Sequence, residues 1–240
     1  MSMATGRHAL VLAIALLAIA TLGCQGGGDD KPADDTARQI SDDELAGMAL
    51  ALTDFGADYA GFHANGDNGP RTLDEIAEDD FDPEDERADL ARFKWASGYQ
   101  EFYISPQDAE EESSVFFVGS SVDLFDTAEG AADYLDDSRA ELTTQVGKGN
   151  NGFTLLDHRE FDADIADGAA AAVFHGSIET EQISSMSFWM SAIMFRHGRL
   201  VAVVGMYSLE EPQLEDTVKD LALRFDQNIA SALGASAAAR

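Results

Sequence analysis

Hydrophobic residues recur along this chain with two periods, and the switches between them mark the elements. After Ser41, whose spacing to Glu44 is that of a capping box, Leu45, Met48, Ala49 and Leu52 follow at helical intervals. Asp82 and Pro83 form an N-cap and first-turn pair, and the helix they open buries Leu90 and Phe93. Beyond Gly98 the pattern turns to strands. QEFYIS (100–105) and SVFFVGSSVDLF (114–125) are aromatic and β-branched, with acidic polar residues at 107–112 between them. Asp126 and Glu129 set another capping box, for a helix that reaches about Gln145 with Ala131, Ala132, Leu135 and Leu142 inward. After a glycine-rich loop at 147–152 come strands over 153–162, 169–175, 185–196 and 199–207. The last two read as a hairpin about His197 and Gly198, where glycine accepts a positive φ. Pro212 then opens a helix whose Leu214, Val218, Leu221, Phe225 and Ile229 form one apolar stripe, closed by Gly234.

This order, helices, two strands, a helix, four strands and a helix, lacks the regular alternation of an α/β fold. Strands joined by short turns pair antiparallel, and long helices with one apolar stripe must pack on them. The expected class is α+β, a mostly antiparallel sheet carrying long helices, one of them C-terminal. The expected organisation is a signal peptide at 1–23, a flexible acidic and glycine-rich tether at 24–40, one globular domain at 41–234 and a disordered tail at 235–240.

The first segment concerns location. Ala9 to Gly23 carries no charge and only Arg7 and His8 precede it, which is a short positive region before an apolar one. As a helix it would reach about 22 Å, short of a hydrocarbon core of about 30 Å, so a cleaved signal fits better than an uncleaved anchor. Here the chain resembles a bacterial lipoprotein signal, in which a small residue precedes a cysteine that becomes lipid-modified and amino-terminal. Leu22, Gly23 and Cys24 fit that pattern, while Thr21 and Leu22 depart from its commonest order. The resemblance implies lipid attachment at Cys24, the single cysteine, with an ordinary secreted protein or an uncleaved anchor as the alternatives. Consumed by lipid, it leaves no disulfide to brace the fold, which must rely on its core.

Charge narrows the partners. Cleavage before Cys24 removes Arg7 alone, leaving 14 Lys and Arg against 45 Asp and Glu, a net charge of −31. Phosphate recognition needs a basic stripe, so nucleic acid is an unsuitable partner. The acidic bias fits a saline habitat or a solubility device equally well.

Three stretches, SSVDLFDTAEGAADYL (120–135), DADIADGAA (162–170) and FRHGRLVAVVGM (195–206), carry a second resemblance. Together with the terminal helix they look like a loose family of bacterial extracytoplasmic lipoproteins, similar also to the extracellular sensor domains of receptor kinases and to the PsbP-like fold. The likeness spans roughly residues 45–233 and rests on core and turn positions. It implies architecture and location, and brings no catalytic residue with it.

Candidate chemistry is thin. GKGNNG (147–152) has the letters of a dinucleotide loop but follows a helix and precedes a strand, the reverse of what places pyrophosphate at a helix N-terminus, so it reads as a connecting loop and no cofactor is expected. Ten of the sixteen residues from Asp74 to Asp89 are acidic, which suits calcium on a mobile loop or, more simply, a solvated charged surface. No EF-hand spacing occurs there or in NGDNGPRTLDE, and His63, His158, His175 and His197 show no zinc spacing, so no metal ligand is assigned. His197 reads as a turn residue. GSSVD (119–123) is no nucleophile elbow, so no catalytic residue is assigned. Trp95, Tyr99, Phe102, Tyr103, Phe188, Trp189 and Met190 are core residues or the lining of an apolar cleft.

The expected protein is therefore a membrane-anchored extracytoplasmic lipoprotein, periplasmic or on the cell surface. It acts as a noncatalytic binding or sensor-like module for a small ligand or an envelope protein, and its lipidated cysteine partners the bilayer. The alternatives are an envelope hydrolase whose site is assembled from dispersed residues and a purely structural envelope protein.

Overall fold

The computed structural model describes residues 39–80, 82–106, 114–142, 144–150, 153–179, 186–211 and 213–238. The segment expected as a signal peptide, Cys24 and the expected tether up to residue 38 lie outside them, as does Pro212. Helices α1 (Asp42–Met48), α2 (Leu73–Asp79), α3 (Pro83–Arg92), α4 (Ala128–Glu141) and α5 (Glu215–Ala238) surround one sheet. Its main strands are β3 (Trp95–Ile104), β4 (Val115–Phe125), β6 (Phe153–Glu160), β7 (Ala169–Ile178), β8 (Met186–His197) and β9 (Leu200–Ser208). Three short strands, β1 (His63–Ala64), β2 (Gly69–Arg71) and β5 (Gly149–Asn150), complete it. The order is β1-β3-β4-β9-β8-β7-β6-β5 with β2 also on β3, and every pairing is antiparallel. The α+β class holds.

Helices cover both faces. On the first, Leu45 and Met48 of α1 and Val218, Leu221, Phe225 and Ile229 of α5 pack against Val118, Val122, Ile193, Phe195, Ala202 and Val204. On the second, Leu90 of α3 and Ala131, Tyr134 and Leu135 of α4 meet Phe125, Met194, Val201 and Val203. This double cover explains why β9, Leu200–Ser208, is buried at every position and reads as a continuous apolar run rather than an alternating one. Beyond α4 the second face is closed by Phe102, Phe117, Ile178, Phe188 and Tyr207 packed on one another.

Several boundaries differ from expectation for local reasons. Ile40, assigned to the tether, is 9% exposed and packs in the first core, so folding begins there. The cap of α4 is Thr127, whose hydroxyl accepts from Gly130 N, rather than Asp126, and the helix ends at Glu141. The β8–β9 turn is Gly198 and Arg199; His197 still pairs with Leu200, and Gly198 takes the positive φ of 61°. Helix α5 continues past Gly234 to Ala238, so 235–238, expected in the tail, are helical. Of GKGNNG, residues 147–150 lie between α4 and β6, with Gly149 and Asn150 forming β5, and residues 151 and 152 fall outside the described residues.

Gly98 lies inside β3 rather than before it, and on β4 Gly119 stands opposite Phe102 of β3. A Cβ on Gly119 would stand 1.9 Å from Phe102 Cδ1 and 3.0 Å from the Glu101 carbonyl oxygen. Because Phe102 is itself held among buried rings, Gly119→Ala is expected to cost roughly 3 kcal/mol, seen as a lower urea midpoint at unchanged slope.

Candidate functional site

The acidic segment 74–89 forms two short helices. Thr72 caps α2 and exchanges hydrogen bonds with Glu75, and Asp82 caps α3 with Pro83 in its first turn. Arg87 Nε reaches Asp74 Oδ1 at 2.8 Å and ties the pair into a hairpin. A wholly solvated surface was expected here, and the structure corrects it. Glu86 is 2% exposed and Asp80 3%, because Glu86, Leu90 and Phe93 share the inward stripe of α3 and must go where Leu90 goes.

The surface that receives them belongs to α4 and β4. Tyr134 lies against Phe125 and Phe93, ring centroids 5.1 and 5.9 Å apart, and its hydroxyl donates to Glu86 Oε1 at 3.4 Å. Glu141, two turns farther along α4, is 1% exposed. Asp123 of β4 accepts the Trp95 indole N–H at 2.8 Å, in space that Gly98 leaves open: a Cβ there would meet Asp123 Oδ1 at 2.5 Å. At the rim Arg92 bridges Asp89 and Asp137 at 2.9 and 2.7 Å and lies 4.2 Å over the Phe93 ring.

Burial in a field of like charge favours the neutral acid. Burial first, then Asp80 and Asp89, pushes Glu86 up to about 9. Burial and then Asp137 push Glu141 up to about 8. Burial raises Asp123 to about 6 against the opposing pull of Trp95 and Arg71, and burial with Glu86 beside it holds Tyr134 well above the ordinary phenol range. Perturbed acids in one place mark a candidate functional site. What this arrangement can do is hold and release protons. Among the described residues no three His, Cys, Asp or Glu side chains are grouped so as to hold a metal ion.

The same helix borders a cleft. Ser138, Leu142, Ala170, Ala172, Phe174 and Met194 line a shallow opening of about 10 Å³, room for about one water molecule, between α4 and strands β7 and β8. The alanine run at 169–172 makes it, since small side chains leave α4 unfilled room. Its one hydroxyl, on Ser138, already donates to the Tyr134 carbonyl at 2.8 Å, so the lining is apolar in effect.

The histidines are dispersed. His63 is exposed on β1, and His158 lies on β6 near Phe174. His197, expected as a turn residue, ends β8, and its Nδ1 lies 2.7 Å from Asp226 Oδ1 on α5. His175 stacks on Trp189 at 4.1 Å, and its Nε2 lies 2.6 Å from Ser187 Oγ on the adjacent strand. A serine and a histidine in contact suggest a nucleophile and its base, yet among the described residues the hydrogen bond made by the His175 ring is to Ser187, and no carboxylate orients it. GSSVD is interior strand: Ser120 Oγ accepts Leu50 N at 3.0 Å, and Asp123 belongs to the acid cluster. The aromatic residues divide between the faces. Phe102 and Phe188 are core, Tyr99 and Tyr103 donate to Glu101, and Trp189 is half-buried over His175. Sequence reasoning missed Glu86, Glu141 and Tyr134.

No protein-family model matches the chain, and no curated protein does. Among solved structures it is similar to the extracellular domain of PknH from Mycobacterium tuberculosis, with a TM-score of 0.51 at 10% identity over 79% of this chain and 98% of that one. A putative regulator of unknown function from Pseudomonas aeruginosa overlaps at a TM-score of 0.27 and 13% identity, over 48% of this chain and 71% of that one, and carries no argument. Among the described residues no helix is long and apolar enough to cross a membrane. At such low identity the first likeness speaks for the backbone alone: this chain and that domain share a fold.

Proposed function

We propose that the chain is a noncatalytic, extracytoplasmic, sensor-like module that binds a small ligand or an envelope protein and is tethered by lipid on Cys24. The observation that carries this reading is that the fold accounts for 98% of the extracellular domain of a mycobacterial kinase. The hydrolase alternative has the exposed contact between Ser187 and His175 in its favour. Anchoring rests on the charge-free run before Cys24: two acyl chains at about 0.8 kcal/mol per buried methylene hold a soluble domain at a bilayer that its negative charge would otherwise avoid.

Mild-detergent extraction of the full chain beside Cys24→Ser tests both halves. The unsubstituted protein is expected in the membrane pellet with one stoichiometric companion, and Cys24→Ser in the soluble fraction. Pelleting of the serine variant removes the anchor, and extraction without any companion removes the protein-binding arm.

A further inference from the structure

Helices α3 and α4 meet through side chains that water ordinarily holds. Glu86 and Glu141 are 2% and 1% exposed, and Glu86 Oε2, both Glu141 carboxyl oxygens and Gln145 Oε1 meet no donor among the described residues. The remaining oxygen, Glu86 Oε1, has only the long bond from Tyr134 at 3.4 Å. The interface is rich in acceptors and poor in donors. A proton on each carboxyl supplies a donor and removes a buried charge, whereas ionisation leaves charged acceptors with nothing to accept from. We infer that the α2–α3 hairpin is a proton-operated latch, closed on α4 and β4 while Glu86 and Glu141 carry protons and released when they lose them.

The surroundings set the direction. Facing Glu86 are Asp80 from the α2–α3 connection, Asp89 from α3 itself, Tyr134 and Glu141 from α4, and Asp123 from β4. Facing Glu141 are Asp137, Asp80 and Asp89, with Lys148 as the opposing charge. Arg92 bridges Asp89 and Asp137 at the rim, Arg71 acts on Asp123, and the pull of Lys148 on Glu141 is the weakest of the influences on that carboxyl. An ionised Glu86 thus enters a field of carboxylates in a poorly screened interior. The hairpin is the part that yields. Helix α4 is held by the second core on Met194, Val201 and Val203, whereas α2 and α3 are joined to each other by an exposed Arg87–Asp74 pair and to the body by Leu90 and Phe93, the partly buried Leu73 and Ile76, and the rim pair of Arg92 with Asp137. With Glu86 held up at about 9 and Glu141 at about 8, the latch works across neutral pH. It stands independently of the binding reading, although α4 carries the latch on one flank and the cleft wall on the other.

The test uses the full chain with Trp189→Phe, so that Trp95, hydrogen-bonded to Asp123 beside the latch, is the sole tryptophan. Hydrogen exchange of residues 73–92, corrected for intrinsic rate, is followed with Trp95 emission from pH 5.5 to 8. The hairpin's opening constant is expected to rise about tenfold per pH unit for each ionising glutamate while β8–β9 amides stay protected. Glu86→Gln with Glu141→Gln, neutral at every pH, is expected to remove that slope and keep the hairpin protected. Should the double variant not fold, Glu86→Gln alone is expected to remove about half the logarithmic slope. A flat profile in the parent, an unchanged slope in either variant, or loss of β8–β9 protection in step with the hairpin overturns the latch.

Discussion

Raising the pH from 5.5 to 8.5 is expected to lower the unfolding free energy of this domain by about 3 kcal/mol, and Glu86→Gln is expected to remove about half of its slope with pH. Glu86 binds its proton more tightly folded than unfolded, about 9 against 4.5, so its contribution is complete below pH 4.5 and is lost as pH rises through the folded value. Each such group imposes a slope of about 1.4 kcal/mol per pH unit, and the total is capped at the free energy with which the hairpin docks, because an open hairpin no longer buries the charge. The opposite sign holds for Glu75 and Glu215, which their bonds from Thr72 and Arg159 hold below the usual range; their contribution is lost in acid. Stability therefore peaks in mild acid. A net charge of −30 also repels itself more as pH rises, but about 0.5 M salt screens surface repulsion and leaves a buried pair untouched. Urea midpoints at both pH values in that salt check the prediction. Equal pH dependence in the parent and Glu86→Gln assigns the effect to general charge and refutes the role of Glu86.

The same glutamate shows what the sequence made legible and what it hid. Where a local rule has one outcome, it held: Ser41 and Glu44 form the capping box, Asp82 and Pro83 open α3, and two long apolar runs about a glycine became β8 and β9. Inside the acidic run the period was present but outvoted by residue type. Thr72 and Glu75 have capping-box spacing, yet Leu73, Ile76 and Ala77 are too few among carboxylates to announce α2. Glu86 stands four residues before Leu90 and seven before Phe93, the spacing of one helical face, and that phase, followed in spite of the charge, would have buried it.

Contacts between distant segments left no mark in the sequence. His197 and Asp226 are 29 positions apart, and Ser187 meets His175 only because β7 and β8 take the register that sets Ser177 against Ser187. Glu86 and Tyr134 are 48 apart, on helices from separate hydrophobic patterns. The fold was readable because its signals are local and repeated, while the acid cluster required the packing angle of two helices that no spacing records.

Phe225→Ala tests the part of the fold that sequence pattern described best, and its expected cost is about 3–5 kcal/mol. Phe225 is 0% exposed at the centre of the α5 stripe, where its ring meets Phe195 of β8 edge to face with centroids 5.6 Å apart. Val218, Leu221 and Ile229 flank it along the helix, so a neighbour cannot move into the space without leaving its own contact. Alanine is the better helix former, so any loss reports the cavity and the missing ring rather than a weakened helix. Leu223→Ala supplies the control: on the same helix but 46% exposed, it is expected to stay within about 0.5 kcal/mol of the parent. Against a total stability of about 5–15 kcal/mol for a typical domain, the phenylalanine variant should unfold at a markedly lower urea concentration, with α5 exchanging its amides first. If both variants shift alike, α5 lies on the sheet without anchoring it, and the first core is held by α1 and the strands alone.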